Sequence, residues 1–502
     1  MSSGETVTGG SGTDELRFAA TAAGTLSIGS SVSVERVVIG TGTAAAAVVT
    51  GTVALNVNAS SAASGLTIVG NAGTNILTGS AYDDMLDGGA GNDTLIGGVG
   101  NDTLNGNTGA DTASYSSATE ALTLSLAILT GQSAGSFGTD IFSGIENLTS
   151  GSGNDTLTGD ANANVLDGGS GNDTLDGGLG NDTLMGGIGT DTATYANAGA
   201  GVTVSLALST LQNTLGAGSD KLSGIENLTG SAFRDVLTGN ATANTLIGGG
   251  GNDVLTGGAG TDVLLGEDGD DIFVVAVAGD MASDEAVTGG AGTDELRFAA
   301  TAPSTLTIGS GVSVEKVVIG TGTAAAAVLT GAAALNVNAS SAANGLIMIG
   351  NAGANILTGS AFDDTLEGGA GIDTISAGVG DDVITGGLGA DTLTGGTGLD
   401  AFIFNSTLGA TNIDRIQDFS VVDDMIHLEN TGIFSALTST GVLASGAFNT
   451  GTRATEADDR IIYDSASGKL FYDSDGTGTM AAVQFATLST GLSLTNADFL
   501  VI

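Results

Sequence analysis

The chain has 502 residues and a formal net charge of -45, because 55 Asp and Glu face only 10 Lys and Arg. Such an acidic chain repels nucleic acid phosphates and anionic membrane surfaces, so we expect it to collect cations instead. It contains no cysteine, which excludes disulfides and thiolate metal sites. With 86 Gly and 4% aromatic residues, it suits thin, stacked β-turns better than a large conventional core.

The sequence predicts neither an N-terminal targeting segment nor a membrane-spanning helix. Residues 1–5 do not begin a basic stretch followed by an apolar one, so we expect no cleaved secretory signal. No apolar run approaches the roughly 18 residues of a membrane helix.

Residues 7–95 recur at 287–375 with an offset of 280. We interpret 1–69 and 287–349 as two copies of a metal-poor β-solenoid module.

A nine-residue repeat dominates the rest of the chain. Residues 88–96 read G-G-x-G-x-D-x-U-x, where U is a large apolar residue. Glycine permits the tight turn, the Asp supplies one carboxylate, and U places one side chain in a shared interior. The repeat predicts rolls over 70–114, 150–194, 230–276 and 350–404. Its sixth position is Asn at Asn164 and Asn244, and elsewhere it is Asp84, Asp93, Asp102, Asp111, Asp155, Asp173, Asp182, Asp191, Asp235, Asp253, Asp262, Asp271, Asp364, Asp373, Asp382, Asp391 and Asp400.

This pattern predicts calcium binding by those Asp residues. A turn and a three-residue strand make half a coil, so residues 18 apart, such as Asp84 and Asp102, should stack. An ion between stacked turns would meet carboxylates and glycine carbonyls, the hard oxygen ligands that Ca²⁺ prefers. Zinc and copper want His or Cys, and the chain has one His and no Cys. We expect on the order of ten ions. The alternative is that the Asp residues only form Asx turns.

The segments between and after the rolls predict further β-structure. We assign 115–149 and 195–229 as bridging β segments, 277–286 as a linker, and 405–502 as a C-terminal β domain. In that domain, residues 465–468 should turn a hairpin. Residues 473–478 resemble the start of an EF-hand loop, but Gln484 stands where a Glu is required, which favours a plain turn. We discount the G-x-S-x-G match at 131–135 as a nucleophile, since no helix follows it.

The tracts resemble the RTX (hemolysin-type calcium-binding) family. The resemblance implies parallel β-rolls, calcium at the repeat Asp residues, and export by the type I secretion machinery. Residues 498–502 are similar to the uncleaved C-terminal secretion signal of that family. The chain departs from its enzymatic and toxic members: His427 is the only His, so the H-E-x-x-H motif is absent, and there is no long apolar helical region.

We therefore predict an all-β protein of calcium-stacked parallel β-roll or β-solenoid tracts with a C-terminal β-sandwich-like cap. The predicted function is a secreted, extracellular or cell-surface protein that folds on Ca²⁺ and has a structural or adhesive role, without enzymatic activity. The alternatives are a secretion or folding module of an enzyme system, or a polysaccharide-binding protein. Candidate partners are calcium ions, the secretion machinery, cell-surface polysaccharide and further copies of the chain, but not nucleic acid or a spanned membrane.

Overall fold

The fold is almost entirely β-structure. The structure is a computed structural model that describes residues 6–42, 46–281, 285–322 and 326–502. Two compact units divide the chain, Met1–Gly239 and Asn240–Ile502. In the described ranges, the helical turns are the short 3-10 segments Gly135–Phe137, Ala278–Asp280, Ser445–Ala447 and Asn496–Asp498. None of the described helices is long and apolar enough to cross a membrane. The predicted all-β class is thus confirmed.

The first unit stacks most of its strands in parallel ladders, and the exceptions are the antiparallel end strands Gln132–Ser133 and Gln212–Asn213. Sheet 1 contains Glu15–Phe18, Arg36–Ile39, Thr67–Val69, Met85–Asp87, Thr103–Asn105, Thr139–Ser143 and Gln132–Ser133. Sheet 2 contains Gly24–Ser27, Leu55–Asn58, Ile76–Thr78, Thr94–Ile96, Thr112–Ser114, Asn147–Thr149, Val165–Asp167, Thr183–Met185, Ser219–Ser223 and Gln212–Asn213. Sheet 3 contains Thr123–Ser125, Thr156–Thr158, Thr174–Asp176, Thr192–Thr194 and Asn227–Thr229, and two further pairs join Thr203–Ser205 to Val236–Thr238 and Val7–Thr8 to Val32–Ser33.

The second unit is also built of parallel ladders, to which its C-terminal region adds antiparallel strands. Sheet 4 contains Thr245–Gly250, Val263–Asp268, Ala286–Ala291 and Val312–Ser313. Sheet 5 contains Val254–Thr256, Ile272–Val275, Glu295–Phe298, Lys316–Ile319, Ile347–Ile349, Thr365–Glu367, Val383–Thr385, Ala401–Phe404, Met425–Leu428, Phe499–Val501 and Gly441–Val442. Sheet 6 contains Ser304–Thr307, Leu335–Asn338, Ile356–Thr358, Thr374–Val379, Thr392–Thr397, Asp414–Ile416, Val483–Thr487, Lys469–Tyr472, Ile461–Asp464 and Phe448–Thr450.

The nine-residue period explains these ladders. Each repeat contributes one three-residue strand whose middle residue points inward, and Leu77 and Leu95 are both completely buried. Strand Thr94–Ile96 pairs in parallel with Ile76–Thr78, 18 residues earlier, so two repeats complete one rung. Because side chains alternate along a strand, the residues on either side of the leucine face outward. The parallel β-roll that the sequence predicts is confirmed.

At each bridging segment, one sheet of the roll ends and another sheet begins. Sheet 1 ends at Thr139–Ser143, which pairs on its far side with the antiparallel strand Gln132–Ser133. Sheet 3 begins nearby with Thr123–Ser125, so the first bridging segment closes one sheet and opens another. The second bridging segment repeats this arrangement with Gln212–Asn213, which is antiparallel to Ser219–Ser223.

The C-terminal region continues the sheets of the preceding roll. Met425–Leu428 and Phe499–Val501 extend sheet 5 in parallel. The predicted hairpin is confirmed, because Ile461–Asp464 and Lys469–Tyr472 pair antiparallel on either side of residues 465–468. Its core is aromatic: the Phe434 ring contacts both Tyr472 and Phe485 edge-on, with centroids 5.0 and 5.2 Å away. The sandwich-like form of this cap and the ten-segment division stay predictions.

Candidate metal centre

The repeat Asp side chains form columns that run along the rolls. The amide of Asp84 donates to Oδ1 of Asp102 at 2.8 Å, and the amide of Asp93 donates to Oδ1 of Asp111 at 2.7 Å. Each bond joins residues 18 apart, as the sequence predicts. All of the predicted ligands are buried: Asp84, Asp93, Asp102, Asp111, Asp155, Asp173, Asp182, Asp191, Asp235, Asp253, Asp262, Asp271, Asp364, Asp373, Asp382, Asp391 and Asp400.

The second carboxylate oxygen of most of these residues lacks a protein partner. Within the described residues, a buried Oδ2 without a hydrogen bond occurs at Asp93, Asp102, Asp111, Asp173, Asp182, Asp191, Asp262, Asp271, Asp373, Asp382, Asp391 and Asp400, and also at Asp14 and Asp294. A buried carboxylate oxygen is costly to leave unsatisfied. An unpartnered, buried Oδ2 nevertheless recurs on one rung after another. Cations bound to these oxygens would explain the pattern.

The glycine turns leave space beside these oxygens. A Cβ on Gly97 would lie 2.3 Å from Oδ2 of Asp102, so any other residue would fill the cradle. Gly98 has φ of +104°, and a Cβ there would lie 2.0 Å from the carbonyl oxygen of Ser80 on the preceding rung. The turns thus stack closely and bring backbone carbonyls near the Asp columns. Carboxylate and carbonyl oxygens together are the donor set that Ca²⁺ prefers.

Side chains alone do not complete a metal centre. Across the part of the chain that the structure describes, no group of three or more His, Cys, Asp or Glu side chains is placed to hold a metal ion. The remaining ligands would therefore have to come from the backbone of the glycine turns. Such a donor set favours a hard cation with many oxygen ligands over zinc or copper, which prefer imidazole or thiolate.

Comparison with known proteins agrees with this geometry. A family model described as the RTX calcium-binding nonapeptide repeat (4 copies) matches residues 69–104, 78–113, 140–175, 158–193, 222–255, 238–273, 349–379 and 367–401. These segments are RTX repeats. RTX repeats bind Ca²⁺, so the expected cofactor class is confirmed, whereas the number of ions stays a prediction. No curated protein matches the chain.

The first Asp of an RTX tract differs from those that follow. Oδ2 of Asp84 accepts hydrogen bonds from both the amide and the hydroxyl of Ser80, at 2.6 and 2.9 Å. Ser360 makes the equivalent bonds to Asp364. Oδ1 of Asp84 accepts the amide of Leu66, and Oδ1 of Asp364 accepts that of Leu346, so both oxygens of these two residues are satisfied within the protein. As calcium ligands they are weaker candidates than Asp102 or Asp382, although the repeat pattern alone does not distinguish them.

The RTX columns continue into residues that the sequence analysis missed. Oδ1 of Asp140 accepts the amide of Asp102 at 2.8 Å, although the two residues are 38 apart. Other carboxylates that extend a column in the same way are Glu146, Asp220, Glu226, Asp294, Glu315, Asp414 and Asp424. Oδ2 of Asp140 is engaged by the hydroxyl of Tyr115 at 2.6 Å. The duplicated bridging segments gave the only sequence signal, because Asp140 recurs as Asp220.

A second ladder of side chains runs in the opposite direction. In many repeats the fifth residue is Asn or Asp, and its Oδ1 accepts the amide of the rung that follows, as Asn154 does from Asn172 at 2.9 Å. The other acceptors of this kind are Asp83, Asn92, Asn101, Asn172, Asn181, Asn252, Asp270, Asp363 and Asp381. These bonds join the exposed turns without requiring a metal ion.

Burial changes the acidity of the RTX columns. It raises the pKa of Asp93 and Asp102 to about 7; amide hydrogen bonds oppose the shift, and neighbouring carboxylates such as Asp111 add to it. In the unfolded chain such groups titrate near ~3.9. The folded state therefore binds protons more tightly, so protonation stabilises the metal-free fold at low pH, and this contribution is lost as the pH rises through about 7.

The upward direction of these pKa shifts gives a testable pH dependence. In calcium-depleted buffer, we expect the chain, which is loosely structured near pH 8, to gain β-structure as the pH falls to about 5, because protonated carboxyl groups are less costly to bury and no longer repel one another. Far-UV circular dichroism across this range measures the effect. A calcium-free chain that gained β-structure as the pH rose would contradict the raised pKa of these groups.

Proposed function

We propose that the chain is a secreted protein that stays loosely structured at low calcium concentration and folds when it meets extracellular Ca²⁺. The observation that carries this proposal is the column of buried Oδ2 atoms, repeated on rung after rung. Without cations, these carboxylates face one another across short distances in a thin core. Because the unfolded chain has no preformed site, the free energy of calcium binding becomes free energy of folding.

Export is the second part of the proposal. Extracellular calcium modules bind Ca²⁺ with dissociation constants of ~10⁻⁴–10⁻³ M. They therefore bind it far more weakly than cytosolic calcium buffers do. A chain of this kind would leave the cell unfolded through the type I secretion machinery and order outside it. The absence of cysteine suits such a route, because no disulfide has to form after export.

The alternative function of polysaccharide binding is supported by aromatic residues at the start of the tracts. Tyr82, Phe233 and Phe362 occupy equivalent turn positions and are about half exposed, at 50%, 47% and 46%. Exposed rings suit contact with a sugar face, which favours cell-surface polysaccharide as the ligand. Replacement of all three by alanine should then abolish polysaccharide binding while the calcium-induced fold persists. If the chain is instead a secretion module, neither the unaltered chain nor the triple-alanine variant should bind polysaccharide.

The number of bound ions tests the calcium assignment. Equilibrium dialysis of the folded chain against millimolar CaCl₂ should find on the order of ten ions per chain. We expect the residues with a free Oδ2 to account for them, with fewer ions beside Asn164 and Asn244, which replace a carboxylate by a neutral amide. A count of one or two ions would contradict the proposal that the columns are the binding sites.

A further inference from the structure

Three of the RTX tracts begin with a turn that departs from the nine-residue consensus in the same two places. Residues 79–84, 230–235 and 359–364, which we name the first turns, read G-S-A-x-x-D. Serine replaces the second glycine of the consensus, and the fourth residue, glycine in the consensus, is Tyr82, Phe233 or Phe362. The three first turns therefore share one construction of their own.

A first turn has a different backbone from the turns that follow it. On the next rung of the fourth tract, Gly378 and Gly380 have φ of +122° and +135°, which other residues rarely adopt. A Cβ on Gly380 would also lie 2.5 Å from the carbonyl carbon of Phe362. Ser360 and Phe362 occupy the equivalent places of the first turn, and neither has a positive φ. The serine and the ring therefore fit a first turn and not the turn stacked on it.

The serine of a first turn occupies the carboxylate oxygen that is left open on later rungs. The amide and the hydroxyl of Ser360 donate to Oδ2 of Asp364 at 2.6 and 3.0 Å. Ser231 makes the same two bonds to Oδ2 of Asp235, at 2.5 and 3.1 Å. On the next rung of the fourth tract, the buried Oδ2 of Asp382 has no partner among the described residues. A first turn thus satisfies with two protein donors the atom that we assign to a cation elsewhere.

The rung before a first turn supplies no carboxylate. Oδ1 of Asp382 accepts the amide of an aspartate, Asp364, at 2.8 Å. On the first turns the equivalent amide belongs to a buried apolar residue, which is Leu66, Val202 or Leu346. An ion between that rung and the first turn would therefore lack one of the two carboxylates that flank the later positions.

Two further columns begin with an asparagine, which has no carboxylate. The amide of Asn355 donates to Oδ1 of Asp373 at 2.7 Å, and its own Oδ1 accepts the amide of Asn351, four residues earlier, at 3.0 Å. Its Nδ2 donates to the carbonyl of Leu335 on the preceding rung at 2.7 Å. Asn75 makes the equivalent bonds. A column can therefore begin with a neutral side chain that is held entirely by protein groups.

We propose that the serine of each first turn takes the place of a cation, so that the first rung of these three tracts forms without calcium. The aspartate of the first turn, which is Asp84, Asp235 or Asp364, is then a structural residue, although each lies within the segments that match the RTX repeat. Its amide still holds Oδ1 of the next aspartate, so the serine is a positioning residue for the first ion of its tract. This inference rests on the calcium-induced folding proposed above.

Ion counts of two matched variants test the assignment. Asp364→Asn and Asp382→Asn make the same chemical change on adjacent rungs, and Asn355 shows that an asparagine can begin a column. Isothermal titration of the full chain with CaCl₂ should find the same number of ions for Asp364→Asn as for the unaltered chain, and one or two fewer for Asp382→Asn. An equal loss from both variants would overturn the inference and leave the proposed function standing. No loss from either would overturn the proposed function and this inference with it.

Ser360→Ala tests the positioning role. Removal of a hydrogen bond to a buried carboxylate should raise the calcium concentration at half-folding at least about twofold, with the number of bound ions unchanged. Ser360→Thr, which keeps the hydroxyl, should stay closer to the unaltered chain. The control is Ser376→Ala, on the outward side of the strand Thr374–Val379, which should leave the midpoint unchanged. Far-UV circular dichroism during the CaCl₂ titration measures the midpoint and shows that each variant folds. Equal midpoints for Ser360→Ala and Ser376→Ala would overturn the inference.

Discussion

Replacing Gly389 by alanine should prevent the fourth RTX tract, residues 350–404, from stacking. Gly389 has φ of +146°, and a Cβ there would lie 1.5 Å from the carbonyl oxygen of Gly371, on the preceding rung. The backbone of a neighbouring rung cannot move away without breaking its own ladder. We expect a loss of roughly 3 kcal/mol or more in the free energy of unfolding of the second unit at saturating calcium.

Gly409→Ala is the matched control. Gly409 lies in the same unit, but a Cβ there would meet nothing within 4 Å, and its φ is outside the range that requires glycine. Thermal unfolding in CaCl₂, followed by circular dichroism, should show a large shift for Gly389→Ala and almost none for Gly409→Ala. Similar melting curves for the two variants would contradict the close stacking of the turns.

Replacing Asp382 by asparagine should weaken calcium binding and leave the fold intact. Oδ1 of Asp382 accepts the amide of Asp364 at 2.8 Å, and an asparagine oxygen can keep this bond. The substitution removes only the second, unpartnered carboxylate oxygen, the atom that we assign to the metal. We expect the loss of one or two ions per chain and an affinity about tenfold lower at the adjoining rungs.

The chain contains its own control for this substitution. Asn164 already occupies a column position, where its Oδ1 accepts the amide of Asp160 and its Nδ2 donates to the carbonyl of Glu146. An amide in the column is therefore compatible with the roll. Isothermal titration calorimetry should show a reduced ion count for Asp382→Asn and an increased one for Asn164→Asp. An unchanged count in both variants would remove these side chains from the ligand set.

The repeat tracts could be predicted in detail because one period determines both strand and turn. The spacing of Leu77 and Leu95 places each in the core, and the spacing of Asp84 and Asp102 places them on neighbouring rungs. These relations are local and identical at every step, so tertiary context has little to change. The predicted hairpin at residues 465–468 had a similarly local cause in its turn residues.

The bridging segments and the column ends could not be predicted in the same way. Asp140 continues the column of Asp102 only because an insertion of 20 residues, beyond the usual 18, leaves the roll and returns to it. The role of Ser80, which satisfies the first Asp of its tract, depends on a side-chain contact that no periodicity reveals. The different environments of Glu15 and Glu295 depend on what precedes them in space, since their local sequences are nearly identical.

Far-UV circular dichroism of the purified chain in EDTA, titrated with CaCl₂ and in parallel with MgCl₂, tests the central claim most directly. Our account predicts a transition from coil to β-structure at sub-millimolar to millimolar calcium. It predicts little response to magnesium, which demands strict octahedral geometry and sheds its water reluctantly. Full β-structure in EDTA near pH 8 would contradict the account, because the buried carboxylate columns would then be stable without any cation.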